Sequence, residues 1–289
     1  MEMQKLFDQF VRERQFLTNV TEKTLVYYQT AWRKWQPHLV QVHSEAELRP
    51  ATRAAITELS ASGKICARSI NTYICVLQTL LNWMFEQELL QKRIKIPKLR
   101  CEKKLVSVLA EDDVRKILLF KPRKFYQWRA QASFALMLDT GIRSAEWRFL
   151  KMENVNFDAQ QLKVYGKGRK ERIVPISAEC KNILMRYVLR SKLPEGSVYL
   201  FPTKTGTAMC NRNALRDLKM TAAWAGVWKI SLHNCRHSFA TAWVEAGGGL
   251  PALKEIMGHA SIQTTMNYLH SSVKAIRTQH DSYSPLHRK

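Results

Sequence analysis

The sequence predicts a mainly α-helical protein with a small antiparallel β-sheet, divided into two domains. Apolar residues recur at helical spacing through residues 1–95, and no alternating pattern interrupts them. Alternation typical of strands appears first in QLKVYG and RIVPIS, on either side of the turn KGRKE. A basic stretch without amphipathic period, residues 92–108, lies between these regions. We place a linker there at residues 96–107, so that the domains are residues 1–95 and 108–289.

Four helices are expected in the first domain. Apolar positions between residues 6 and 11 line one face of the first helix, and the second covers residues 21–35. Pro50 is expected to open the third helix, which ends at Gly63. The fourth, residues 69–90, is the most strongly amphipathic. The polar faces offer side chains that could contact phosphates or base edges, although any one of them could be ordinary solvated surface: Lys23, Arg33, Lys34, Arg68 and Asn71.

Charge and composition point to a polyanionic partner. The 289 residues carry a formal net charge of +22 with a hydrophobic fraction of 46%, which suits folded domains that meet nucleic acid rather than a membrane surface. Six cysteines without a Cys-x-x-Cys pair or a secretory leader indicate reduced thiols in the cytoplasm. No apolar run approaches the length of about 18 residues that a membrane span needs.

The second domain is expected to open with the helix AEDDVRKILLF, followed by a buried helix around residues 130–138. Gly141 breaks that helix and Ser144 is expected to cap the next, which leaves Arg143 in the turn between them. After the β-hairpin, helices are expected at residues 177–190 and 211–224, with a short VYLFP strand between them.

The stretch from residue 231 to residue 270 carries the densest chemistry. His233, Arg236 and His237 stand at i, i+3 and i+4, so a helix would project all three from one face. Later elements bring His259, after Gly258, and then Tyr268, in helices expected from Pro251 and over residues 261–268. A zinc site at His233, Cys235 and His237 is not expected, because alternate helix positions point apart, and no cofactor is expected.

These spacings resemble the signature of the tyrosine recombinase (phage integrase) family. His-x-x-Arg, a later Gly-His and a tyrosine nine residues beyond that histidine match its carboxy-terminal motif. Thr-Gly-Ile-Arg-Ser-Ala-Glu resembles its first arginine box, with Glu146 as the supporting acid, and Gly-Lys-Gly at 166–168 resembles its hairpin lysine. Trp147, Cys235 and Met257 depart from the usual residues. The implied catalytic set is Arg143, Lys167, His233, Arg236, His259 and Tyr268.

The resemblance covers nearly the whole chain and implies a fold and a reaction. A helical core-binding (SAM-like) domain and a catalytic domain would form a clamp around DNA. Two guanidinium groups would bind the phosphate without a metal while Tyr268 attacks it. His233 would accept the phenol proton or hold the phosphate, His259 would donate to a non-bridging oxygen, and Lys167 would protonate the departing 5′-oxygen. The 3′-phosphotyrosyl bond would let a 5′-hydroxyl reseal the strand without ATP.

Several alternatives remain open at the level of sequence. The first hypothesis is a site-specific recombinase, monomeric in free solution and tetrameric on two double-stranded DNA sites, cytoplasmic and nucleoid-associated. A type IB topoisomerase-like enzyme and a DNA-binding regulator with a decayed site are the others. Tyr283 is the rival nucleophile, and Arg169 and Lys170 are expected to contact phosphates non-specifically. From its length we expect no separate arm-binding domain, which favours Xer-like resolution or the integrase of a small mobile element or integron.

Overall fold

The structure is a computed structural model that describes residues 1–102, 107–166, 170–271, 277 and 280–281. Lys167, Arg169 and Tyr283 lie outside the described residues. The chain divides into two compact units, Met1–Lys104 and Leu105–Lys289. The functional domain boundaries 1–95, 96–107 and 108–289 stay a prediction.

The first unit is a bundle of helices around an aromatic core. Phe7 stacks on Trp32 with ring centroids 4.5 Å apart, and Trp35 is fully buried with its indole N–H donating to the Tyr73 carbonyl at 3.1 Å. Stacked and edge-on rings of this kind contribute beyond the area that they bury. The helices are α1 (Met3–Phe16), α2 (Glu22–Leu39), α3 (Glu45–Ala61) and α4 (Ala67–Glu86).

The predicted start of α3 at Pro50 is wrong, because an earlier start is stabilised by Glu47. The Glu47 carboxylate accepts from the His43 backbone N–H and from the Ser44 hydroxyl, both at 2.8 Å. Pro50 therefore lies inside the helix, which gives up one backbone hydrogen bond there. The hydrogen bonds of Glu47 at the start of the helix therefore determine where α3 begins, rather than the preference of proline for the first helical position.

The chain after α4 is held against the bundle rather than free. Ile94 and Ile96 are buried, and the Gln78 amide donates to the Ile94 carbonyl at 2.8 Å and accepts from the Ile96 N–H at 2.9 Å. The Asn71 amide does the same for Leu99, at 2.8 and 2.7 Å. The amino and carbonyl ends of the Asn71 amide thus both bind backbone, which argues against the predicted DNA contact of Asn71.

The second unit is built around a buried helix, as expected. Of its residues, Phe134 and Leu136 are fully buried, and it packs against three later helices. Gly141 ends it in the left-handed region at φ +59°, where an added Cβ would lie 2.4 Å from the Phe239 ring. The helices of this unit are α5 (Glu111–Leu119), α6 (Phe125–Thr140), α7 (Ser144–Arg148), α8 (Ala178–Arg190), α9 (Asn211–Trp224), α10 (Leu232–Glu245), α11 (Leu250–Met257) and α12 (Ile262–Ser271).

The predicted cap at Ser144 is displaced by one residue. Arg143 occupies the cap position with extended backbone, and its N–H donates to the Glu146 carboxylate at 2.8 Å. Ser144 is the first helical residue. The carboxylate of Glu146 therefore fixes the backbone of Arg143 at the point where the turn meets the helix.

The small antiparallel sheet is confirmed, with order β1 (Val155–Asn156), β2 (Gln161–Tyr165) and β3 (Glu171–Pro175). Leu162 opposes Val174, and both are buried. The predicted VYLFP strand is wrong: in that stretch the structure gives only isolated bridges, from Tyr199 to Lys151 and from Pro202 to Ala208. Among the residues that the structure describes, no helix is both long and apolar enough to cross a membrane.

Candidate active site

Three arginines from three different elements converge on the carbonyl end of α11. The last carbonyls of a helix lack partners within it and carry the negative end of the helix dipole, so guanidinium groups suit them. The pairs are Arg172 Nε to the Ile256 carbonyl at 2.8 Å, Arg236 Nη2 to the Met257 carbonyl at 3.0 Å, and Arg143 Nη2 to the Gly258 carbonyl. This helix end therefore gathers groups that would otherwise repel one another.

Glu146 joins two of these arginines through a buried carboxylate. Its side chain is 3% exposed, and it accepts from Arg172 Nη1 and Nη2 and from Arg143 Nη1, each at 2.9 Å. Burial alone would raise the pKa of Glu146, but the hydrogen bonds from Arg172 and the Arg143 backbone outweigh it and lower the pKa. The carboxylate is therefore ionised and fixes the planes of both guanidinium groups.

Gly258 leaves the space that Arg172 occupies. It ends α11 at φ +64°, and an added Cβ would lie 2.8 Å from the Arg172 guanidinium carbon. Gly247, at φ +81°, has nothing within 4 Å of that position. Both glycines have a backbone conformation that is strained for a residue with a side chain. Of the two, only Gly258 also lacks the space for a Cβ atom.

We expect Gly258→Ala to lower the free energy of unfolding by about 1–3 kcal/mol more than Gly247→Ala does, because it adds overpacking to the shared backbone strain. Chemical denaturation of the two variants measures the difference. Equal losses would show that Arg172 moves aside without cost and that the Arg172 contact with α11 is weak.

Arg236 is the most enclosed of the three cations. It is 7% exposed, and it donates from Nη1 to the Gly141 carbonyl and from Nη2 to His259 Nε2 at 2.8 Å. Burial, followed by repulsion from Arg143, lowers the pKa of Arg236 to about 10, so the group remains charged at neutral pH. A guanidinium carries about five N–H groups. These bonds therefore leave donors of the fork for a phosphate oxygen.

His259 lies between Arg236 and a buried hydroxyl. Its Nδ1 is 2.8 Å from Thr265 Oγ1, and Arg236 can only donate, so Nε2 accepts and Nδ1 carries the hydrogen. Burial and the charges of Arg236 and Arg143 lower the pKa of His259 to about 4, which keeps it neutral at pH 7. His259 is predicted to donate to a non-bridging phosphate oxygen. Donation from Nε2 would require that the imidazole first gain a proton or exchange tautomers.

Tyr268 lies beside two imidazoles. Its hydroxyl is 3.0 Å from His237 Nδ1, and its ring stacks on His259 with centroids 6.4 Å apart and an interplanar angle of 6°. The residue is 5% exposed, and burial raises the pKa of its phenol against the opposing charge of Arg236. The phenol is therefore protonated at neutral pH and needs a proton acceptor in order to attack.

A sequence profile described as the phage integrase family matches residues 107–275, more than half of the chain. The chain belongs to this family. Tyrosine recombinase XerD of Staphylococcus aureus (strain N315) is 28% identical over 294 residues, which cover 98% of this chain and 99% of that protein. Tyrosine recombinase XerC of Syntrophus aciditrophicus (strain SB) is 32% identical over 196 residues, or 64% of this chain and 63% of that protein.

The fold is also that of solved integrases. The Tn1549 transposon integrase in complex with transposon right end DNA gives a TM-score of 0.78 at 17% identity, covering 98% of this chain and all of that one. The XerH site-specific recombinase bound to palindromic difH substrate, in a post-cleavage complex, gives 0.73 at 18%, covering 95% and 83%. At these identities the likeness concerns the fold.

In this integrase-family chain, the six predicted catalytic residues have three different outcomes. Arg143, Arg236, His259 and Tyr268 lie together as described above. His233 is exposed on α10, with its ring centroid 6.2 Å from that of His237, and the imidazole that contacts the phenol belongs to His237. Lys167 lies outside the described residues. Of the other predicted DNA contacts, the exposed ones are Lys23, Arg33, Arg68 and Lys170, whereas Lys34 is half-buried.

Neither Arg172 nor His237 has a chemical role in the sequence-based prediction. Arg172 directly follows the basic turn KGRKE, but it opposes Val164, whose side chain is buried, and thus shares the inward face of the sheet. Strand alternation from buried Val174 would have indicated this orientation. His237 stands at i+4 from His233, but only the fold shows that it reaches Tyr268.

Proposed function

We propose that this chain is a site-specific recombinase that cuts and rejoins DNA strands through a 3′-phosphotyrosyl bond to Tyr268, without metal or ATP. The observation that carries the proposal is that five side chains from four parts of the chain meet. The Tyr268 phenol lies beside His237 and His259, and His259 is hydrogen-bonded to the buried Arg236. Arg143 reaches the same helix end, one carbonyl further along.

Each group has a part in transferring a phosphoryl group. The side chain of Arg143 is 40% exposed and can bind a phosphate, while the buried Arg236 contributes a second positive charge from the interior of the domain. Two guanidinium groups stabilise the charge on the non-bridging oxygens of the transition state. Lys167 would protonate the departing 5′-oxygen. The tyrosyl ester preserves the energy of the broken bond, so a 5′-hydroxyl from another duplex completes recombination.

DNA binding and assembly follow from the same proposal. A chain with net charge +22 carries exposed cations on both units, including Arg33, Arg68 and Lys170. The XerH and Tn1549 proteins are described as bound to DNA substrates. We therefore propose binding to a specific double-stranded site, as a monomer in free solution and a homo-tetramer on two sites, in the cytoplasm and associated with the nucleoid.

The two rival functions are less well supported. XerD of Staphylococcus aureus, which aligns with this chain over nearly its whole length, is a tyrosine recombinase. This similarity favours strand exchange over simple nicking and closing. A regulator with a decayed site would not need to retain Arg143, Arg236, His259 and Tyr268 in one cluster. Relaxation of supercoiled DNA without any site requirement would favour the topoisomerase-like alternative.

Covalent trapping tests the proposed function. Nicked duplexes drawn from the DNA flanking the gene would be incubated with the protein, and adducts resolved on a denaturing gel. We expect an adduct whose tryptic peptide carries a 3′-phosphate link at Tyr268. If the protein bound these duplexes tightly and formed no adduct with any of them, the proposal would be wrong.

A further inference from the structure

We propose that His237, rather than His233, is the proton acceptor for the Tyr268 nucleophile. This inference rests on the proposed strand-cutting function and assigns one step of it. In the described part of the chain, the ring nitrogen Nδ1 of His237 lies within hydrogen-bonding distance of the reacting oxygen, 3.0 Å from Oη. A general base must be within about 2.6–3.2 Å of the proton that it removes, and this contact meets that requirement.

The position of His237 follows from the packing of α10 against α12. Arg236 and His237 are adjacent on α10, so one side chain turns into the core towards α11 while the other faces α12. Val244 and Ala240, which are buried on α10, pack in the same cluster as Tyr268. The helix that holds the phosphate-binding guanidinium therefore also holds the base, and their separation is fixed by helical geometry.

The surroundings of His237 keep it able to accept a proton. Among the described residues, the charged and titratable groups that face it are His233 and Arg236 on its own helix and Tyr268 on α12, whose ring also stacks on His259. Burial, with the charges of His233 and Arg236, lowers the pKa of His237 below its ordinary value. The imidazole is thus neutral at pH 7. In the proposed step it is the Nε2–H tautomer, in which the Nδ1 lone pair accepts the phenol proton.

The step balances without another reactant. Tyr268 Oη forms a bond to phosphorus as the bond from phosphorus to the 5′-oxygen breaks. The phenol proton passes to His237 Nδ1, and Lys167 supplies the proton of the departing 5′-hydroxyl. In resealing, Lys167 takes that proton back, the 5′-oxygen attacks phosphorus, and the imidazolium returns its proton to Tyr268.

The pH dependence of cleavage tests this assignment. His237→Asn and His237→Gln retain a hydrogen-bond acceptor but cannot take a proton. Single-turnover cleavage of a nicked duplex would be measured from pH 6 to pH 9, with DNA binding by mobility shift as the check on folding. We expect a loss of at least about 100-fold at pH 7. The remaining rate should rise about tenfold per pH unit, because the reaction then depends on the small ionised fraction of the phenol.

A fluorinated tyrosine at position 268 provides the second measurement. Its phenol ionises at lower pH, so it should restore most of the lost rate in the His237 variants and change the rate of the parent chain far less. His233→Asn is the matched control: whatever its rate, its pH dependence should keep the parent shape.

Two results would overturn the assignment. One is a rate loss in both folded His237 variants that is equal at every pH and unaffected by fluorotyrosine, which would mean that His237 is only structural. The other is a cleavage rate that rises steeply with pH in His233→Asn but not in the His237 variants. In either case the parent chain would still form its adduct, so the proposed function would stand.

Discussion

A Tyr268→Phe chain is expected to bind duplex DNA as the parent does and to form no covalent adduct with it. The change removes one oxygen from a side chain that is 5% exposed and leaves the ring stacked on His259. The lost hydrogen bond to His237 should cost about 1 kcal/mol of stability. The nucleophile itself has no substitute at that position. Denaturing gels measure the adduct, and mobility shift measures binding.

Tyr283→Phe is the matched control, because it removes the same atom from the rival phenol. Position 283 lies outside the described residues, so the control depends on sequence alone. This variant should form the adduct at the parent rate. The opposite pattern, an adduct that persists without the Tyr268 hydroxyl and disappears with Tyr283→Phe, would move the nucleophile to the tail.

The parts of the site that sequence predicted are those linked by short spacings. The turn that presents Arg143 is set by Gly141 before it and Glu146 after it, all within one motif. Likewise, Gly258 ends α11 and delivers His259 directly to the next loop. Local backbone rules determine these placements, so a motif and its helix signals suffice.

The parts that sequence missed depend on contacts between distant residues. Arg172 lies 26 residues from Glu146 and 84 from Ile256 along the chain, and His237 lies 31 residues from Tyr268. Nothing local distinguishes Arg172 from its exposed neighbours except strand alternation, and a basic hairpin tip conceals that pattern. The three-arginine arrangement at the end of α11 exists only once the tertiary fold has formed.

The start of α3 shows the same limit within the bundle. Proline at the first helical position is a sound general signal, yet Pro50 lies within a helix that begins at Glu45. The deciding contacts are those of Glu47 with His43 and Ser44, which form only if the helix begins early. The start of the helix is thus set by the two hydrogen bonds of Glu47 and not by the position of Pro50.

Glu146→Gln is expected to reduce both stability and cleavage, because it removes the negative charge that pairs with both Arg143 and Arg172. Breaking a buried ion pair from one side typically costs about 3–5 kcal/mol, and Glu146 is 3% exposed. The amide would also direct N–H groups towards guanidinium donors. Loss of the fixed Arg143 plane should slow cleavage by about 100-fold, as expected for a misplacement near 1 Å. Chemical denaturation and single-turnover cleavage measure the two effects.

Glu153→Gln is the matched control, since Glu153 pairs with Lys151 at 3.1 Å but has a side chain that is 69% exposed. Its change in stability should stay within about 0.5 kcal/mol.

The pH dependence of stability gives a further check on Glu146. Its pKa is lowered on folding, so its contribution is present above its ordinary value of 4.5 and is lost as pH falls through the folded value. The stability gap between the parent and Glu146→Gln should therefore narrow below pH 4.5. A gap that is small at pH 7, or that widens in acid, would show that the carboxylate does not hold the two arginines as their geometry indicates.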